Sequence, residues 1–190
     1  WAVGYTLSTD FPVQSYGTYY YENTNTGDFD IFIQRFGSNL NLLYSTYYGD
    51  SITDNHPQMD VTPTHNKIIT FSTNSRNLPL IPLDATSYQQ SYSNKIDIYV
   101  AIFDSNMQQI YGSYLGSSEN DYVRDVLFVD SLYFLTGATW GSSYPIVNVY
   151  GFPFLKSFSG ASGTSYDVIL TAFNSKGRLV YSTCMGNSFY

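Results

Sequence analysis

One cysteine, Cys184, in 190 residues rules out a disulfide framework and leaves no cysteine-based metal site. Charge is nearly as scarce: Asp, Glu, Lys and Arg make up 12% of the chain, about half the usual share. The basic residues number eight and are scattered, and the net charge is −7 with a pI near 4.4. Nucleic acid, whose phosphates demand clustered Lys and Arg, is therefore not an expected partner. Nor is an electrostatic membrane patch. No apolar run approaches the roughly 20 residues that span a bilayer, so no transmembrane segment is expected. Glutamate occurs only at Glu22 and Glu119. The paired carboxylates of a glycosidase would have to be aspartates, and neither Asp10 nor Asp84 is marked for that work. There is no N-x-S/T sequon.

What the chain has in abundance is tyrosine, 20 residues, within 18% aromatic and 43% hydrophobic content. Tyr, Ser, Thr and Asn supply polar surface without charge and suit strands and turns better than helices. That habit fits an exported protein, and the missing sequon favours a bacterial source. The chain opens at Trp1 with no charged-then-apolar leader, so a signal peptide is expected to be removed or to lie outside this stretch.

The strongest signal is internal repetition. DIFIQRFGSNLNLLYSTYYG (30–49), DIYVAIFDSNMQQIYGSYLG (97–116) and DVILTAFNSKGRLVYSTCMG (167–186) share one internal spacing. Each opens on Asp (Asp30, Asp97, Asp167). Phe follows at plus 6 (Phe36, Phe103, Phe173), Tyr at plus 14 (Tyr44, Tyr111, Tyr181) and Gly at plus 19 (Gly49, Gly116, Gly186). The copies start 67 and then 70 residues apart. A second block also recurs: WAVGYTLSTDFP (1–12), KIITFSTNSRNLP (67–79) and YFLTGATWGSSYP (133–145), each ending in Pro, with the next Asp 18, 18 and 22 residues later.

Alternating apolar residues bounded by turn residues make each unit about four short strands, and no window shows a helical period. The expected class is all-β: a β-propeller of four-stranded antiparallel blades, 67–70 residues each. Strands 30–36, 42–48, 58–62 and 67–73 are expected to share one sheet, repeated over 97–139. The corresponding division is 1–29 as the end of a blade plus linker, 30–96 as a blade, 97–166 as a blade with an insert (148–166), and 167–190 as the start of another. Two complete units and two partial ones make too small a ring, so the chain reads as part of a larger one.

The strings DIFIQRF…LLYSTYYG, DIYVAIF…IYGSYLG and VGYTLSTDFP resemble the SBBP repeat family of bacterial β-propellers. The resemblance covers nearly the whole chain. It implies a propeller in large exported or cell-surface proteins, often beside adhesion or sorting domains, with no shared catalytic residues. The chain departs from the pattern at Phe71, where the other units have Gly4 and Gly137, and in the 148–166 insert.

Candidate chemistry is thin. Asp50 and Asp54 after Gly49, and Glu119 and Asp121 after Gly116, are calcium candidates, since hard cations take oxygen ligands from such loops; Asp in turns also caps its own backbone. Asp30, Asp97 and Asp167 recur in every unit, which fits a structural bond to a neighbouring turn better than catalysis. His56 and His65 have no partners in sequence and read as loop residues. Cys184 stands where Tyr47 and Tyr114 stand, and reads as a packed side chain. Trp140, Tyr150, Phe152, Phe154 and Phe158 are the candidates for partner contact. No catalytic, cofactor-binding or firm metal residue is expected. The expected role is a non-catalytic scaffold or binding module, secreted or at the bacterial surface, meeting protein or glycan or joining a larger envelope assembly. The alternative is the propeller part of an exported polysaccharide-active enzyme whose catalytic residues lie elsewhere.

Overall fold

The computed structural model describes residues 1–186, and among these there is no helix. Twelve strands form three antiparallel sheets. The first sheet has the order β1-β2-β3 (Ala2–Thr6, Asp30–Phe36, Leu42–Tyr48). The second is β4-β5-β6-β7 (Asp54–Val61, Lys67–Thr73, Asp97–Phe103, Gln109–Leu115). The third is β8-β9-β11-β12-β10 (Asp121–Val129, Leu132–Thr139, Asp167–Asn174, Leu179–Met185, with the two-residue β10, Val147–Asn148).

The expectation that 30–73 forms one sheet is corrected. β2 and β3 pair with β1, whereas β4 and β5 pair with β6 and β7 of the following unit, Thr73 opposite Asp97. Each sheet thus takes its inner half from one unit and its outer half from the next. The cause lies at the outer edge. The connector after β1 runs beside β3, with Gln14 bridging Ser45 and Glu22 O accepting from Tyr47 N at 3.1 Å. With that edge taken, the chain leaving β3 cannot add β4 to it and crosses to the next sheet.

The same strap recurs. Ile81 bridges Gly112 and Gln90 O accepts from Tyr114 N along β7; β10 pairs with Ser182, and Lys156 O accepts from Cys184 N, along β12. Each strap is also held by the repeat tyrosine: Tyr44 and Tyr111 donate to Tyr20 O and Tyr88 O at 2.6 and 2.8 Å, and Tyr181 donates to Phe154 O. A hydroxyl two residues on accepts from the strap as well, Thr46 from Glu22 N, Ser113 from Gln90 N and Thr183 from Lys156 N. Residues 148–166 are therefore not an appended insert but the third strap, slightly longer than the others. Straps cover edges that would otherwise invite foreign strands.

Alternation explains the two main cores. β6 is buried along its whole length because both of its faces are covered. Tyr99, Ala101 and Phe103 face the first sheet with Ile31, Ile33, Tyr44, Tyr48, Ile69 and Phe71. Ile98, Val100 and Ile102 face the third with Tyr111, Val123, Leu135, Ile169 and Phe173. Each buried Ile, Val, Leu or Phe among them contributes roughly 1.5–3 kcal/mol on burial.

The departures among units have packing reasons. A Cβ at Gly137 would collide with Tyr122 O, and one at Gly4 with the Phe32 ring, whereas Phe71 has Tyr99 beside it with ring centroids 5.4 Å apart. Where Tyr47 and Tyr114 donate to Ser8 O and Ser75 O, the third sheet has buried Cys184. There Tyr144, from the position of Phe11 and Leu78, enters the same core and its hydroxyl meets that of Thr171 at 2.9 Å.

Candidate binding site

The acids first singled out by repetition hold the sheets together. Asp30 accepts from Thr26 N, Asp97 from Ser93 N and Oγ, and Asp167 from Ser159 N and Oγ, each tying the strap's end to the strand it enters. Asp54 and Asp121 tie one sheet to the next. Asp54, the first residue of β4, accepts from Asp50 N behind it and from the hydroxyls of Thr73 and Ser75 in its own sheet. Asp121, the first residue of β8, accepts from Ser117 N and Oγ.

Glycine sits between the two acids of each junction because nothing larger fits. A Cβ on Gly49 would lie 2.6 Å from Asp30 Oδ1 and 2.8 Å from Asp54 Oδ2; Gly116 faces Asp97 and Asp121 in the same way. Burial raises all four carboxyls, Asp54 and Asp121 to about 7 and Asp97 to about 6, with the neighbouring acid adding to the rise at Asp54 and Asp121 and hydrogen bonds opposing it. Neither Asp30 Oδ1 nor Asp121 Oδ1 has a hydrogen-bond partner. Of the calcium candidates, Asp54 and Asp121 are thus buried in these junctions. Asp50 accepts from Asn77 N, and the Glu119 side chain lies beside Gly163. Among the described residues no group of three or more His, Cys, Asp or Glu is placed to hold a metal ion.

The aromatic candidates divide. Trp140 is half-buried between Tyr122 and Tyr166, with centroids 5.3 and 4.9 Å away, and Phe158 packs on the second core. Tyr150, Phe152 and Phe154 are exposed. Phe152, Pro153 and Phe154 line a shallow apolar groove of about 260 Å³ with Phe134, Leu170 and Tyr181. Phe154 occupies the strap position of Tyr20 and Tyr88, which meet Phe103 and Phe173 of the following sheet. Cys184 is buried and its thiol is pushed up to about 12, mainly by desolvation, which removes it as a nucleophile.

A site that sequence reasoning missed lies between the first two sheets, at their hairpin ends. Trp1, Tyr19, Arg35, His65, Lys67 and Ser105 line a pocket of about 220 Å³. Its counterpart between the second and third sheets, about 330 Å³, includes Ile102, Ser131, Tyr133 and Ser175. The repeat spacing makes these pairs equivalent: Arg35 with Ile102, His65 with Ser131, Lys67 with Tyr133, Ser105 with Ser175. His65 and Ser131 even share a left-handed backbone, φ 63° and 71°. At these four positions the backbone frame corresponds and the side chains differ; the second pocket is lined in addition by the hairpin 62–66, which has no counterpart beside the first among the described residues.

In the first pocket both cations approach the Trp1 ring, Lys67 Nζ at 4.7 Å and Arg35 Cζ at 5.7 Å from its centroid. Lys67 is 2% exposed and donates to Asp104 O and Ser105 O at 3.3 and 3.4 Å. Arg35 Nη1 donates to Tyr19 Oη at 3.1 Å. Neither makes an ion pair; among the described residues the one ion pair is Lys176–Asp84. Desolvation, and then the Arg35 charge, hold the Lys67 ammonium below its usual range, with Asp104 pulling the other way. The Asp104 carboxylate accepts from Asn106 N and Gln108 N in its own hairpin. His56, by contrast, is exposed on a bulge of β4 beside Asn55. Aligning the units would have exposed the signal, since Ile102 and Tyr133 show that the fold needs no cation at either place.

Compared with known proteins, the chain matches no family model and no curated sequence.

Proposed function

We propose that the chain is a non-catalytic scaffold and binding module, made of consecutive blades of a β-propeller in an exported bacterial protein. The observation that carries the reading is that the buried acids recur at equivalent positions, where each is bonded within a turn or between sheets. A general acid or nucleophile is needed once and must face substrate. These residues face backbone and hydroxyls inside the protein.

Support for the propeller comes from the face-to-face succession of sheets, each strapped at its outer edge and stepping to the next through an Asp-headed inner strand, together with the resemblance to SBBP repeats. The low charge and the richness in Ser, Thr and Asn support an exported, surface-bound setting. Exposed Tyr150, Phe152 and Phe154 supply apolar contact area for a protein partner or a following sheet.

The test is to incubate the protein with a panel of neutral and acidic polysaccharides and assay new reducing ends, with Asp54→Asn and Asp97→Asn variants alongside. No turnover by any of the three is expected. Turnover by the parent that a single Asn variant abolishes without unfolding would overturn the reading.

A further inference from the structure

We infer that the pocket between the first two sheets binds a carboxylate-bearing sugar ring, as presented by an acidic polysaccharide. The inference deepens the non-catalytic binding reading and rests on it.

Three observations converge. First, the fold has neutral side chains at the equivalent places, since Ile102 and Tyr133 line the second pocket and belong to its buried apolar cluster. A desolvated ammonium and a guanidinium without a carboxylate partner are costly features, and they stand where the sister junction shows neutral side chains to suffice. Secondly, their donors are only partly used. Lys67 Nζ meets two carbonyls at long range, and Arg35 has one hydrogen bond for its five N–H groups. An anion entering the pocket would complete both sets, and a planar carboxylate matches the guanidinium fork.

Thirdly, the walls are aromatic. Trp1 and Tyr19 stack at 6.4 Å with planes 18° apart, and Tyr44 meets both edge-on. Such rings offer an apolar face to a flat ligand body, while Ser105 and His65 at the rim offer partners for hydroxyls. A space of about 220 Å³ holds one ring, not a drug-sized ligand. A lone inorganic anion would leave the aromatic walls unused, and a neutral sugar would leave the cations uncompensated. A ring that carries its own carboxylate answers both, and in a chain of net charge −7 two cations meet here at one aromatic ring.

The test uses sodium D-galacturonate as probe, with D-galactose and sodium acetate as controls, followed by tryptophan fluorescence in a Trp140→Phe background so that Trp1 reports alone. Galacturonate should give a saturable change at millimolar concentrations or below, at least tenfold tighter than either control. The double variant Arg35→Ile/Lys67→Tyr copies the sister pocket, so it should fold and lose the response. Lys67→Met alone should weaken it at least fivefold. Equal responses to galacturonate and galactose, or to galacturonate and acetate, would overturn the assignment, as would an undiminished response in the folded double variant or no response at all. Cleavage of oligogalacturonides by the parent protein would instead contradict the non-catalytic reading while leaving the binding site standing.

Discussion

The two junctions between sheets are built on one frame and finished differently. Between the second and third sheets the hairpin-end pocket is neutral, lined by Ile102, Ile110, Phe128 and Tyr133 among others. Between the first and second, Arg35 and Lys67 take the places of Ile102 and Tyr133, and Trp1 and Tyr19 wall them in. Because the straps and Asp links are shared, Ile102 and Tyr133 are the internal reference for Arg35 and Lys67; the hairpin 62–66 that also lines the second pocket has no counterpart beside the first among residues 1–186. What both have is what the fold needs; what one alone has is open to function.

The largest effect should come from breaking what the junctions share. Tyr111→Ala removes a buried ring from the second core and the hook on the strap at Tyr88, and should cost about 3–5 kcal/mol by chemical denaturation. Tyr111→Phe keeps the ring and loses the hydroxyl, for about 1 kcal/mol. Tyr44→Phe at the first junction should match it, since the hook to Tyr20 O is the same.

The acid pairs come next, and they should behave alike at both junctions. Asp54 and Asp121 have folded values near 7, well above the usual carboxylate range. A raised folded value means that the folded state binds protons more tightly than the unfolded one. Stability is then greatest at acid pH, falls as pH rises from about 4 to about 7, and levels off above. At about 1.4 kcal/mol per pH unit of displacement, each group accounts for up to roughly 4 kcal/mol across that window. Melting temperature measured from pH 5 to pH 8 should therefore drop, and Asp54→Asn or Asp121→Asn should each flatten the slope.

The smallest effect concerns the hairpins. The three outer loops share the same two backbone hydrogen bonds and place Leu40, Met107 and Gly177 at φ 62°, 54° and 68°. Only the third has the residue for which that backbone is free of strain. Leu40 is 81% exposed, so Leu40→Gly should stabilise by about 1 kcal/mol, read as a shift in denaturation midpoint. Met107 is buried in the first core, and the same change there should lose more packing than it gains.

Much of the frame was legible in the sequence. The strings DIFIQRF, LLYSTYY, KIITFST and DIYVAIF are strands over the ranges their alternation marks, and the recurring Asp does bond a neighbouring turn. The phase was not legible, because a repeat fixes only the cyclic order of its strands. Which loop crosses between sheets depends on the straps occupying β3, β7 and β12, which no periodicity reports. β4 begins at Asp54 rather than at 58 because the bulge at His56, φ 54°, breaks the alternation there. Residues 148–166 looked like an insert since their hold on β12 is largely through backbone atoms. Arg35 and Lys67 were invisible singly; they are far apart in sequence, and only comparison with Ile102 and Tyr133 makes them unusual.

The central claim, that the cationic filling of the first pocket is dispensable to the fold, is tested most directly by the thermal melt of Arg35→Ile/Lys67→Tyr without ligand. With a buried, unpaired ammonium and its neighbouring guanidinium replaced by the side chains of the sister pocket, the variant should melt several degrees above the parent, about 2–4 °C for each kcal/mol gained. A melt below the parent would show the cations to be part of the structure, and would contradict the account.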